Sequence, residues 1–158
     1  MTAAFTWGVS LAVGLSASVE DLAKRRISNW IPIAAAVAGF AIHIAANGWK
    51  GALSAGLGLV AGFGVFLVFY LLGGMGGGDV KLMAGFGAIV GIERLLAAAF
   101  WTAGIGGIMA CAALAIRGFQ QWRRQQKDGI AKEPEGERDK SIPYAPAIAM
   151  GALLSLVP

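Results

Sequence analysis

The residues of this sequence that could carry acid–base chemistry are its carboxylates, because it has a single histidine and a single cysteine. Of the nine acidic side chains, five fall in a polar stretch at 117–141 and are expected to be solvated. The others are Glu20, Asp21, Asp79 and Glu93. Two carboxyl groups about 4 Å apart repel by about 4 kcal/mol at an effective dielectric of about 20. One then stays ionised as a base while the other stays protonated as an acid, which peptide hydrolysis by an activated water requires.

Asp79 follows the run 73–78, in which five of the six residues are glycine. Each glycine costs a helix up to about 1 kcal/mol, so we expect the backbone to unwind there. The next helix, 79–91, is expected to span only about 20 Å of a hydrocarbon core about 30 Å thick. Asp79 is therefore expected at the edge of a water-accessible pocket below the membrane surface. The alternative interpretation is a simple helix cap after a glycine-rich turn.

Asp21 and its neighbour Glu20 lie at the end of the first predicted helix. An acid at a helix C-terminus opposes the helix dipole, and the basic residues at 24–26 could compensate it without any further role. Residue type alone does not choose between Glu20 and Asp21. Glu93 is expected in a solvated turn on the other side of the membrane.

The composition predicts a membrane protein. Hydrophobic residues make up 57% and charged residues 14%, and the mean hydropathy is +0.68. This excludes intrinsic disorder and argues strongly against a soluble enzyme. We predict an all-α, polytopic bundle of six transmembrane helices with a short fourth helix, forming a single membrane-embedded domain over 1–158. The predicted helices cover about 3–19, 30–46, 52–72, 79–91, 95–115 and 143–157, and a flexible cytoplasmic loop is expected at about 117–141.

The basic residues predict the orientation. With both termini outside, the inner loops hold eleven Lys and Arg residues and the outer loops hold two. This asymmetry satisfies the positive-inside rule and places Asp21 and Asp79 on the cytoplasmic side. The net charge of +4 is thereby explained by basic loops at the surface of the lipid bilayer, and no nucleic-acid partner is expected.

Residues 76–79 read Gly-Gly-Gly-Asp and are followed by Lys81 and Leu82. This segment resembles the GxGD motif of the type IV prepilin peptidases, which are intramembrane aspartyl proteases. Upstream, Asp21 is followed after five residues by Ile27-Ser28-Asn29, which is similar to the Ile-Pro-Asn-like triplet of the family's first aspartate motif. The segment 142–148 is similar to the entry of the family's last helix. Ser28 stands where the family usually has proline, which predicts a looser turn.

The resemblance implies a function and a site. It selects Asp21 over Glu20 as the partner of Asp79, and the two would activate water and protonate the leaving amine. Gly76 and Gly78 would let an extended substrate approach closely, and Lys81 and Asn29 belong to the motifs. The reaction would remove the short basic leader of a prepilin-like protein at the cytoplasmic face of the inner membrane, without a metal or cofactor. Larger, bifunctional members of the family carry paired Cys-x-x-Cys motifs. This sequence has a single cysteine and resembles the short, peptidase-only form.

Two other functions remain open from the residues alone. A non-catalytic assembly or scaffold subunit of a pilus or secretion system could keep the same fold. A small proton-coupled transporter could also use paired membrane acids, although six short helices without an internal repeat disfavour it. The sequence leaves the exact substrate and the oligomeric state open.

Overall fold

A computed structural model describes residues 2–72, 75–128 and 144–157. Four helices account for nearly all of these residues, and no strand occurs within the described ranges. They are α1 (Thr2–Lys24), α2 (Trp30–Leu71), α3 (Gly77–Asp128) and α4 (Ala145–Ser155). The predicted all-α class is confirmed for this part of the chain.

Two glycines break the long helices. Gly48 in α2 has φ 55° and ψ −132°, and Gly91 in α3 has φ 74° and ψ 169°. Because a Cβ atom disfavours positive φ, glycine is the residue that adopts these angles without strain. The breaks divide α2 into arms at 30–47 and 49–71, and α3 into arms at 77–90 and 92–128. The second interruption was predicted near Glu93, between helices 79–91 and 95–115, and lies two residues earlier, at Gly91.

The first arm of α3 (77–90) and α4 form the centre of the bundle. Leu82, Met83, Phe86 and Ile148 are fully buried there. The surrounding helices expose large apolar side chains outward, including Trp30, Val37, Trp49, Leu96 and Phe100. Two helical stretches of the described chain, Trp30–Leu71 and Gly77–Ile116, are long and apolar enough to cross a membrane. An apolar exterior around a packed centre is typical of a membrane protein.

Close backbone contacts hold the first arm of α3 against α2. Gly58 and Gly87 face each other so closely that a Cβ on either would overlap the carbonyl oxygen of the other. On the other arm of α2, a Cβ on Gly39 would lie 2.5 Å from the carbonyl carbon of Ala88. Helices in membranes gain van der Waals contact when small residues let their backbones approach in this way. These contacts fix the position of the segment that begins beside Asp79.

Four predicted boundaries need correction, and the first is the end of α1, which lies at Lys24 rather than at about 19. Helix α3 begins at Gly77 rather than at 79, and α4 begins at Ala145 rather than at 143, which lies outside the described residues. Helix α3 also continues through 117–128, the first half of the predicted loop. Arginine, glutamine and lysine are good helix formers, so charge alone did not end the helix there. The rest of that predicted loop, residues 129–141, lies outside the described residues.

We expect Gly58→Ala to destabilise the protein, because the new methyl group must displace the backbone at Gly87. The loss should be about 1–3 kcal/mol, measured as a lower thermal unfolding temperature in detergent micelles. Gly64→Ala is the matched control on the same helix, because a Cβ there meets no atom within 4 Å. Equal stability of the two variants would contradict this account of the packing.

Candidate active site

Asp21 lies on the buried face of α1, one turn before the helix ends. That face repeats at helical spacing through Ser10, Gly14, Ala17 and Asp21, all of which are buried. The Asp21 Oδ2 atom accepts a hydrogen bond of 3.1 Å from the backbone N–H of Ala145, the first residue of α4. The carboxyl group therefore satisfies one of the amides that every helix leaves unpaired at its start. It also lies at the positive end of the α4 dipole.

Asp79 occupies the first turn of α3. Its Oδ2 atom accepts a 3.2 Å hydrogen bond from the backbone N–H of Gly76, the residue that precedes the helix. This is the return bond of a capping box, in which the third helical residue reaches back to the cap. Only 7% of Asp79 is exposed, as is 7% of Asp21. Both carboxyl groups thus lie, largely buried, at the N-terminus of a helix.

One cavity of about 680 Å³ brings the two carboxyl groups together. Asp21 and Asp79 both line it. All the other residues that the sequence analysis named for the site also line this cavity: Gly76, Gly78, Lys81 and Asn29. Residues separated by more than fifty positions in the chain therefore share one site.

Part of the cavity wall was not predicted from the sequence. Arg25 and Arg26 line it beside Asp21, and an apolar face of α2 lines it with Phe63, Leu67 and Tyr70. The spacing of these three apolar residues, four and then three positions, is a helical face that could have been found by its period. Nothing local in the sequence indicates which cavity that face lines.

The motif glycines have close neighbours inside the protein. A Cβ on Gly78 would lie 3.3 Å from the Ile27 Cβ, and one on Gly76 would lie 3.2 Å from the Asp79 Oδ2. A small residue at 78 therefore lets the loop between α1 and α2 pack on the start of α3. The expected approach of a substrate to these glycines stays a prediction.

Lys81 and Asn29 contact each other. The Lys81 Nζ donates a 3.0 Å hydrogen bond to the Asn29 Oδ1. Asn29 occupies the N-cap position of α2, where an asparagine side chain usually accepts from its own helix, but here it makes no such bond. The pair instead connects the start of α2 to the first arm of α3.

Glu20 and Asp21 differ in their surroundings although they are adjacent. Glu20 lies in the last turns of α1, at the end that leads into the loop before α2, and is not part of the cavity wall. It accepts hydrogen bonds from the Ser28 hydroxyl and, at 2.9 Å, from the Ser28 backbone N–H. The bond from the Ser28 hydroxyl, followed by that from its amide, lowers the pKa of Glu20. The turn at Ser28, which was expected to be looser, is thus held by hydrogen bonds to the Glu20 side chain.

The arrangement is suited to acid–base chemistry. Two largely buried carboxyl groups in one cavity can hold a single proton between them and present both a base and an acid to a water molecule. Within the described residues, no group of three or more His, Cys, Asp or Glu side chains could hold a metal ion. The fold and the cavity define an all-helical, membrane-type protein with a paired carboxyl site.

Comparison with known proteins identifies the family. The model of the type IV leader peptidase family matches residues 8–111, which include Asp21 and Asp79. The prepilin leader peptidase/N-methyltransferase of Bacillus subtilis is 35% identical over 101 residues. This match covers 63% of the chain and 34% of that protein, so the chain spans about a third of the length of the curated relative. No solved structure gives a significant match. The chain belongs to the type IV leader peptidase family.

The hydrogen bond between Asp21 and Ala145 predicts different effects for two substitutions. Asp21→Asn keeps an oxygen that can accept from the Ala145 N–H, and we expect thermal stability close to that of the wild type. Asp21→Leu leaves this buried amide unpaired and should lower the free energy of unfolding by about 1–3 kcal/mol. Glu93→Leu, at an exposed acid of α3, is the control and should change little. Equal stability of the Asn and Leu variants in detergent micelles would show that the bond does not support the fold.

Proposed function

We propose that this protein is an intramembrane aspartyl endopeptidase that removes the short basic leader of a prepilin-like protein. The observation that carries the proposal is that Asp21 and Asp79, which lie far apart in the sequence within the family match, line one cavity. Membership of the leader peptidase family supports the reaction class, and the relative's name supplies the class of substrate.

In this mechanism the two carboxyl groups act as one unit. The ionised group accepts a proton from a water molecule as its oxygen attacks the scissile carbonyl carbon. The protonated group then donates a proton to the leaving amine as the carbon–nitrogen bond breaks. Each role fits either aspartate, because both lie at helix N-termini where a negative charge is stabilised.

The test is cleavage of a prepilin-like substrate by the purified protein in detergent or in cells that express both. Asp21→Asn and Asp79→Asn should each lower kcat/KM by at least about 10²–10⁴-fold, the usual contribution of a general acid or base. Both amides keep the hydrogen bonds that the carboxyl groups accept, so folding should persist. Glu93→Gln is the matched control and should retain full activity.

The outcomes separate the possible functions. Normal cleavage by either Asn variant would contradict the paired carboxyl site. A wild-type protein that inserts but cleaves no prepilin-like substrate would instead favour the scaffold function. Proton uptake by reconstituted wild-type protein would favour the transporter.

The proposal includes a location. The helical segments would form six spans with a short fourth span, both termini outside, and the site would face the cytoplasm at the inner membrane. The distribution of Lys and Arg supports this orientation. The structure adds that Arg25 and Arg26, from the basic loop after α1, line the same cavity as the two aspartates. A cavity lined by inner-loop cations would open on the inner side.

Cysteine labelling tests that location. In a Cys111→Ser background, we expect Arg26→Cys to react with a membrane-impermeant maleimide only after the cells are lysed. Lys50→Cys, an exposed residue near the break in α2, should react in intact cells. The reverse pattern would contradict the proposed orientation, and labelling of both in intact cells would place the cavity outside.

A further inference from the structure

The loop between α1 and α2 is where the two aspartate motifs meet. Its residues on either side of Ser28 both contact the start of α3: Ile27 packs on Gly78, and Asn29 accepts from Lys81. These contacts lie immediately before Asp79 and two residues after it. The conformation of this loop therefore sets where the end of α1, with Asp21, sits relative to Asp79.

The backbone of this loop contains a strained residue that other contacts must stabilise. Arg25 has φ 50°, in the left-handed region that residues other than glycine rarely adopt. Its N–H bonds the Asp21 carbonyl oxygen at 2.8 Å, which ends α1 and turns the chain back. A strained turn persists when surrounding contacts fix it.

Glu20 supplies such a contact across eight residues. One carboxylate oxygen accepts from the Ser28 hydroxyl and the other accepts from the Ser28 backbone N–H. Two charge-assisted bonds to one residue fix its orientation as well as its position. The other partner of Glu20, Lys24, lies 3.5 Å away with its side chain 69% exposed, and such a surface ion pair contributes little.

We propose that Glu20 and Ser28 form a positioning bridge, the Glu20–Ser28 bridge, which holds the 25–29 loop so that Asp21 and Asp79 face each other. The inference rests on the proposed peptidase function, and it assigns Glu20 a role distinct from that of the neighbouring Asp21. Neither residue of the bridge lines the cavity, so they act through the loop and not on the substrate. The bridge occupies the turn at which the sequence has serine where the family usually has proline.

The kinetic test uses single and double substitutions in the cleavage assay. Glu20→Ala and Ser28→Ala should each lower kcat by roughly 3–30-fold with little change in KM, because small misplacements of catalytic groups slow the chemical step. The double variant should lose no more than the worse single variant. Ser28→Thr keeps the hydroxyl and should retain most of the activity. Lys24→Ala, which breaks only the exposed ion pair, is the matched control and should retain all of it.

A second readout follows the loop without measuring cleavage. In a Cys111→Ser background, Ile27→Cys and Gly78→Cys should form a disulfide rapidly under mild oxidation, because the Ile27 Cβ and a Cβ at 78 lie 3.3 Å apart. Glu20→Ala should slow this cross-linking several-fold, and Lys24→Ala should not.

The cleavage and cross-linking measurements distinguish failure of the bridge proposal from failure of the peptidase proposal. A wild-type protein that cleaves normally, with bridge variants that keep full kcat or an unchanged cross-linking rate, would overturn the bridge while leaving the peptidase proposal intact. Losses that multiply in the double variant would also overturn it. If the wild-type protein cleaves nothing, the peptidase proposal fails, and the cross-linking rates still decide whether Glu20 and Ser28 hold the loop.

Discussion

A helix that ends inside a packed bundle must find partners for its free backbone amides and carbonyls, and this constraint shapes the whole molecule. The first arm of α3 and α4, at about 21 Å and about 17 Å long, are both shorter than a hydrocarbon core of about 30 Å. At both ends of each helix, a side chain forms a hydrogen bond with a free backbone group. In the α3 arm, the Asp79 carboxylate accepts from the backbone N–H of Gly76, and the His43 Nε2 bonds the Ile89 carbonyl oxygen at 3.0 Å. In α4, Asp21 accepts from the backbone N–H of Ala145 at the start, and the Arg94 guanidinium donates to the Leu156 carbonyl oxygen at 3.0 Å at the end.

The two N-terminal partners are also the residues proposed to do chemistry. Burial disfavours a charged carboxylate, and the amides and dipole of a helix N-terminus favour it. Each aspartate is subject to both effects, so each is available as either an acid or a base within one cavity. The same hydrogen bonds satisfy the helix ends and hold the carboxyl groups in place, which explains how a small bundle keeps two buried acids.

Sequence patterns predicted the features that depend on local composition. Apolar runs predicted an all-α chain, and the glycine run before Asp79 predicted the end of regular helix near residue 72, where α2 ends at Leu71. The features that the patterns missed depend on long-range contacts. The Ala145 amide lies 124 residues from Asp21, and Lys81 lies 52 residues from Asn29, so neither pairing leaves a periodic signal. Glu20 was told from Asp21 by resemblance, because both side chains carry a carboxyl group and the two residues differ chiefly in the face of the helix that they occupy.

The distance between the aspartates depends mainly on α1. The first arm of α3, with Asp79, is fixed by backbone contacts at Gly58 and Gly39 of α2. Helix α1 packs chiefly on α4, where a Cβ on Gly14 would lie 2.8 Å from the Ala149 Cβ, and it has little contact with α3. Asp21 is therefore held by its bond to Ala145 on one side and by the 25–29 loop on the other. In the proposed peptidase, a substrate would therefore meet one aspartate on a closely packed helix and one on a helix with fewer contacts, and we expect any adjustment of the pair to come from α1.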